Sequence, residues 1–84
     1  MTITLLYFGR PRETLATAGE TLDLPDGVAD VAALLAALRA RGNNWAHELA
    51  DNRVRCAVNQ EMSPLSTTIS DGDEVAIFSP ISGG

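Results

Sequence analysis

The chain has 84 residues, enough for one small domain over residues 1–84, and 45% of them are hydrophobic, unlike a disordered chain. Six arginines and no lysine face eleven acidic residues, and the formal net charge of −5 argues against a nucleic-acid partner. The lack of lysine also excludes Schiff-base and P-loop chemistry. With no signal-peptide pattern and no apolar run near the roughly 18 residues of a membrane span, we expect a cytoplasmic protein without a membrane partner.

The first part of the chain predicts two strands joined by a short helix. Apolar side chains alternate over residues 3–8, and Gly9 and a following proline end this first strand. Residues 12–18 are predicted as a short helix that ends at Gly19, and residues 21–24 as a brief second strand. The pattern is typical of two strands with a compact connection.

The middle of the chain predicts the main helix, over residues 31–41. Asp30 has the side chain of an N-cap, and Gly42 is expected to supply a left-handed residue after the last turn. Four apolar residues follow the i, i+3, i+4, i+7 spacing of one helical face: Val31, Leu34, Leu35 and Leu38. Asn43 and Asn44 are expected to form a loop, followed by one further turn.

The last third of the chain predicts more strands. Residues 54–59 alternate as a third long strand, and residues 62–68, interrupted by proline, are expected to be irregular or edge-like. A turn over residues 71–73 precedes a last strand over residues 74–79. Strands flanking one main helix predict an α+β domain of the β-grasp type, with a mixed sheet and the helix across one face.

Isolated polar side chains in the chain do not form a convincing site. His47 stands alone, so we expect no metal site, and Asp71 and Asp73 are better explained by a solvated turn than by a calcium loop. Cys56 alternates with valines and is predicted to be a buried core thiol rather than a sulfur-relay thiol.

The printed sequence ends in Gly83-Gly84, and residues 79–84 carry too little apolar surface to dock on the domain. We therefore expect them to project as a tail. Two glycines place no Cβ near the terminal carboxylate, so the backbone could enter a narrow channel where a partner performs chemistry on the Gly84 carboxyl group. A frayed, inert terminus is the alternative explanation for the same two residues.

Several short motifs together resemble the MoaD and ThiS sulfur carriers, the ubiquitin-like family that includes the small subunit of molybdopterin synthase. The resemblance covers nearly the whole chain. Its motifs are Tyr7-Phe8-Gly9, Arg12-Glu13, Asp30-Val31, Val58-Asn59-Gln60-Glu61, Asp71-Gly72-Asp73-Glu74, and Phe78 to Gly84. A departure is Ser79, which stands before Pro80 where the family commonly has a second proline.

The resemblance implies that Gly84 is adenylated by an ATP-using activating enzyme and converted to a thiocarboxylate, so the covalent forms would be a glycyl adenylate and 1-thioglycine. It also implies insertion of the tail into the large synthase subunit, within a heterotetramer of two small and two large subunits. There the sulfur would be donated to the cyclic pyranopterin precursor to build the molybdopterin dithiolene. The chain itself would bind no cofactor, and nucleotide binding would occur with the activating partner.

The alternation of the first and last strands predicts a partner-binding patch. Leu6 and Phe8 point away from the core face of the first strand, as Ala76 and Phe78 do on the last strand. If these strands are neighbours, the four residues form one apolar surface near the tail, with Pro80 and Ile81 continuing it. Two other functions stay open: a sulfur carrier of the thiamine or another pathway, and a ubiquitin-like binding module with an inert tail.

Overall fold

Five strands and three helices form residues 1–80, the part of the chain that this computed structural model describes. In chain order they are β1 (Thr2–Phe8), α1 (Arg10–Thr14), β2 (Gly19–Asp23), α2 (Val31–Arg39), α3 (Asn43–Glu48), β3 (Arg55–Val58), β4 (Glu61–Ser63) and β5 (Glu74–Phe78). The strands make one sheet in the order β2-β1-β5-β3-β4, in which only the β1–β5 pair is parallel. The predicted mixed sheet of an α+β domain is confirmed. Within residues 1–80 no helix is long and apolar enough to cross a membrane.

Strand alternation places one face of the sheet in the core. Ile3, Leu5 and Tyr7 of β1 are buried, as are Val75 and Ile77 of β5, while the residues between them are more exposed. The apolar face of α2 covers these side chains with residues that are at most 1% exposed: Val31, Leu34, Leu35 and Leu38. Truncating one of these leucines to alanine would cost about 2–5 kcal/mol.

Helix α2 begins as predicted and ends early. The Oδ1 atom of Asp30 accepts a hydrogen bond of 2.8 Å from the N–H of Ala33, as an N-cap should. The helix ends at Arg39 instead of residue 41, because Arg41 leaves the helical path and binds Glu20 of β2. The prediction that Gly42 adopts a left-handed conformation after the last turn was wrong. Gly42 has φ 154° and ψ 178°, and it is the residue before α3.

Other boundaries also differ from the prediction. The first helix spans Arg10–Thr14 rather than residues 12–18, because a buried proline in its first turn starts the helix early. Asn43 and Asn44 lie in α3 and not in a loop. The third strand is four residues long, Arg55–Val58, and the last ends at Phe78.

Two motifs of the last third meet at one end of the sheet. Asn59 and Gln60 have positive φ angles of 51° and 71° and form the two-residue turn between β3 and β4. The Nδ2 of Asn59 donates to Asp73 at 2.9 Å, and its Oδ1 accepts from the N–H of Glu74 at 3.0 Å. The N–H of Ser70 and the Asn59 amide lower the pKa of Asp73. The acidic turn is thus a structural cap on the sheet.

Candidate functional site

The parallel pairing of β1 and β5 determines where the tail begins. Because both strands run in the same direction and Phe8 is the register partner of Phe78, both end at the same edge of the sheet. Ser79 follows β5 there, and its Oγ lies 3.7 Å from the position that a Cβ on Gly9 would occupy. Residues 81–84 lie outside the described part of the chain, so the roles predicted for Ile81, Gly83 and Gly84 stay predictions.

The structure brings the four predicted patch residues together. Leu6 pairs with Ala76, and Phe8 pairs with Phe78, so the four side chains form two adjacent rows on the face of the sheet opposite α2. Phe8 is 46% exposed, and the other three are partly exposed. Pro80 is exposed just beyond the end of β5. Their partner-binding role stays a prediction.

Two further residues extend this surface, and the sequence analysis did not connect them to it. Ala57 of β3 is the register partner of Ala76, and Met62 of β4 is the register partner of Ala57. One row therefore crosses four strands, from Leu6 through the two alanines to Met62, which is 65% exposed. Residues 62–68 were predicted to be irregular or edge-like, and β4 is the edge strand of the sheet, but that prediction included no pairing register. We call these six residues the outer face: Leu6, Phe8, Ala57, Met62, Ala76 and Phe78.

A second cluster lies on the helical side of the sheet and has a structural explanation. The hydroxyl of Tyr7 donates to Glu20 at 3.0 Å, and both terminal nitrogens of Arg41 donate to the same carboxylate at 2.7 and 2.9 Å. The guanidinium of Arg41 also lies 4.6 Å from the ring centre of Trp45. The Arg41 hydrogen bonds lower the pKa of Glu20, while burial and then the Glu20 charge raise the pKa of Tyr7. The cluster joins β1, β2, α3 and the residues after α2.

Cys56 is buried, as predicted, and its environment disfavours the thiolate. It is 2% exposed, and burial, followed by the negative charge of Asp51, raises its pKa to about 11. A cavity of about 240 Å³ adjoins it between β3 and the residues after β4, also lined by Ser63 and Leu65. Because the thiolate is the reactive form, this environment favours the core-thiol interpretation over a sulfur relay.

His47 is exposed in α3, and within residues 1–80 no three potential metal-ligating side chains come together. Sequence reasoning missed the burial of its neighbour Glu48, which is 1% exposed. One carboxylate oxygen of Glu48 lies 3.4 Å from Nε of Arg10, and the other has no hydrogen-bond partner within the described residues. The pair joins α3 to α1 at the edge where the tail begins.

A mixed five-stranded sheet with the main helix across one face and an open outer face defines a ubiquitin-like β-grasp domain. A protein of Haloferax volcanii solved in solution has this fold, with a TM-score of 0.82 and 26% identity over 100% of this chain and 87% of that one. A complex of subunits 1 and 2 of molybdopterin-converting factor from Helicobacter pylori also contains it, at a TM-score of 0.67 and 20% identity over 100% of both chains.

The ThiS family profile matches residues 5–84, and the chain belongs to that family. Among its relatives is the molybdopterin synthase sulfur carrier subunit of Haemophilus influenzae, which is 32% identical over 82 residues. The alignment covers 98% of this chain and 99% of the relative. The predicted family resemblance is confirmed.

Proposed function

We propose that the chain is the sulfur carrier subunit of molybdopterin synthase, with Gly84 as the residue that carries the sulfur. The observation that supports this most is the near-complete alignment with a relative of that name, together with a family match that runs through Gly83 to Gly84. An activating enzyme uses ATP to adenylate the Gly84 carboxyl group with release of pyrophosphate, and sulfide-level sulfur from a donor then displaces AMP to give the thiocarboxylate. The reaction takes place in the cytoplasm.

The chain's own contribution is to position this group and to bind the partner. Six residues from Ser79 to Gly84 would span at most about 20 Å, at about 3.3 Å per residue for a fully extended chain. The globular body can therefore stay on the surface of the large subunit while the thiocarboxylate enters a buried site and donates sulfur to the cyclic pyranopterin precursor. The outer face at the root of this tail is the docking surface, in a heterotetramer of two small and two large subunits.

The domain supplies binding and positioning, and the partners supply the reactive sites. Cys56 is buried and has a raised pKa, which favours sulfur transfer through the tail over transfer through the only cysteine. The outer face supplies an apolar surface that would be costly to leave in water. The enzyme is thus the assembled synthase, with this chain as its sulfur-donating subunit.

Mass spectrometry of the purified protein, after incubation with its activating enzyme, ATP and a sulfur donor, tests the proposal. Replacement of a carboxylate oxygen by sulfur and oxidation of a methionine raise the protein's mass by the same nominal amount. Because Met62 is well exposed, the modified residue must be located by fragmentation. We expect it in the C-terminal fragment containing Gly84. The control is a reaction without ATP. An unmodified terminus under all conditions would contradict the proposal and favour the binding module with an inert tail.

A further inference from the structure

The charged side chains divide between the two ends of the sheet. Register places Asp23 opposite Thr2 and Glu74 opposite Thr4, so the start of β1, the end of β2 and the start of β5 share the end remote from the tail. We call this the acid end. It holds seven of the eleven carboxylates: Asp23, Asp26, Asp30, Glu61, Asp71, Asp73 and Glu74. The six arginines lie nearer the other end, because Arg10 and Arg12 follow β1, Arg53 precedes β3, Arg55 begins β3 opposite Phe78, and Arg39 and Arg41 follow the same division through their ion pairs. The other four carboxylates are Glu13, Glu20, Glu48 and Asp51.

Most carboxylates in the half nearer the tail are occupied by intramolecular partners. Glu20 binds Arg41 at 2.7 Å, and Asp51 lies 3.0 Å from Arg39. Glu48 is buried beneath Arg10, whose side chain is 63% exposed. The remaining carboxylate of this half is that of Glu13, which is exposed in α1. Six arginines against four carboxylates leave this half with an excess of two formal positive charges, although the whole chain has a formal charge of −5.

Arg55 is the arginine that adjoins the outer face most directly. It is exposed, it is the register partner of Phe78, and within residues 1–80 it forms no ion pair. Within the same residues the only hydrogen bond of its side chain is a 3.3 Å contact from Nη1 to the carbonyl of Val54. A guanidinium at the border of an apolar docking surface is well suited to bind a carboxylate of the partner through paired hydrogen bonds.

Arg10 and Arg12 are exposed in α1, which follows the end of β1 where the tail begins. We propose that they form, together with Arg55, an arginine rim that contacts carboxylates of the large subunit when the outer face docks. This inference rests on the proposed function, because it assumes that the large subunit binds the outer face. Apolar contacts alone fix the orientation of two proteins only weakly. Ion pairs at the rim would fix the orientation of the domain on the large subunit, with the start of the tail facing the partner's site.

The distance between the two ends determines which charges the partner experiences. Six residue steps of β1 separate them by about 20 Å at about 3.3 Å per residue. The Debye length is about 8 Å at physiological ionic strength, so the acid end is largely screened from a partner at the tail end. A partner approaching there responds to the rim and not to the net charge of the chain.

The affinity of the full chain for the cognate large subunit, measured by calorimetry at about 0.15 M salt, tests the rim. We expect Arg55→Glu to raise Kd at least about tenfold, and Arg55→Gln to raise it less. Asp26→Lys is the control for position, because it changes the net charge by two units as well, in the opposite direction, at an exposed position of the acid end. We expect its Kd to stay within about twofold of the unmodified chain.

Salt dependence and folding controls complete the test. Added salt should weaken binding of the unmodified chain more than binding of Arg55→Glu, and both should have the same melting temperature because Arg55 is exposed. If Arg55→Glu binds the large subunit with unchanged Kd, the proposed rim is wrong. It is also wrong if Asp26→Lys changes the Kd as much as Arg55→Glu does. If the unmodified chain does not bind the large subunit at all, the proposed function itself fails, which is a different result.

Discussion

Phe8 and Phe78 lie side by side at the ends of two parallel strands, on the sheet face opposite the main helix. Because Phe78 belongs to the outer face, Phe78→Ala should weaken binding to the large subunit by roughly 1–3 kcal/mol with little loss of stability. The neighbouring Ile77 is fully buried, so Ile77→Ala should instead lower the free energy of unfolding by about 2–5 kcal/mol. Calorimetry and denaturant unfolding of both variants separate the two effects. If Phe78→Ala unfolds the domain, Phe78 is part of the core and the face assignment is wrong.

Met62 provides an independent test of how far the outer face extends. It is 65% exposed on β4 and would lose its contact with solvent if the partner covers the whole row. Met62→Asp should weaken binding by roughly 1–3 kcal/mol, since a carboxylate would be desolvated at the interface, whereas Met62→Leu should bind like the unmodified chain. Equal affinities for the two variants would exclude β4 from the interface.

The thiol of Cys56 should be unreactive in the folded protein. Its pKa of about 11, compared with 9.0 for a free thiol, leaves roughly a hundredfold less thiolate at pH 8, and burial slows access further. Alkylation followed by mass spectrometry should therefore be at least about a hundredfold slower in native protein than in denaturant. Because the folded-state pKa is the higher one, stability should also fall as pH rises from about 9 through 11, and Cys56→Ala should reduce that fall. Rapid native alkylation would reopen the sulfur-relay alternative.

Acid should weaken the cluster around Glu20. Its pKa is held below the unfolded value of 4.5, so the stability it contributes is complete above that pH and is lost as pH falls through the lower folded-state value. Glu20→Gln should cost roughly 1 kcal/mol at neutral pH and should make unfolding less dependent on pH below about 4.5. Denaturant unfolding across this range checks the prediction. An identical pH dependence in the variant would mean that other carboxylates account for the acid sensitivity.

The sequence predicted the features that depend on local alternation and spacing. Residue spacing and side-chain chemistry alone predicted three features that the structure confirms: the core face of β1, the apolar face of α2 and the Asp30 N-cap. The family resemblance inferred from the short motifs was confirmed by the match to the family profile over residues 5–84. Two of those motifs contact each other in the fold through the hydrogen bond from Asn59 to Asp73.

Features that depend on tertiary contacts could not be predicted in this way. Arg41 ends α2 early because its partner Glu20 lies on a distant strand, and the burial of Glu48 depends on the packing of α3 beside α1. Met62 joins the outer face only through the register of β4 with β3. No periodic pattern in a three-residue strand carries that information.

Sulfur donation by Gly84 is most directly tested by moving its carboxyl group. One residue added after Gly84 displaces the reactive carbon by about 3.3 Å, and a misplacement of even about 1 Å can cost about a hundredfold in rate. Gly84→Val keeps the position and adds branched bulk beside the attacked carbonyl. Both changes lie far along the tail, so folding and binding to the large subunit should be retained.

Molybdopterin formation in the presence of the large subunit, the activating enzyme and the cyclic pyranopterin precursor is the measurement. We expect product from the unmodified chain and none above background from the extended chain or from Gly84→Val, with large-subunit affinity unchanged. Intact mass must confirm that no protease has removed the added residue. Normal product formation by either variant would contradict the thiocarboxylate mechanism and leave a ubiquitin-like binding module with an inert tail as the better account.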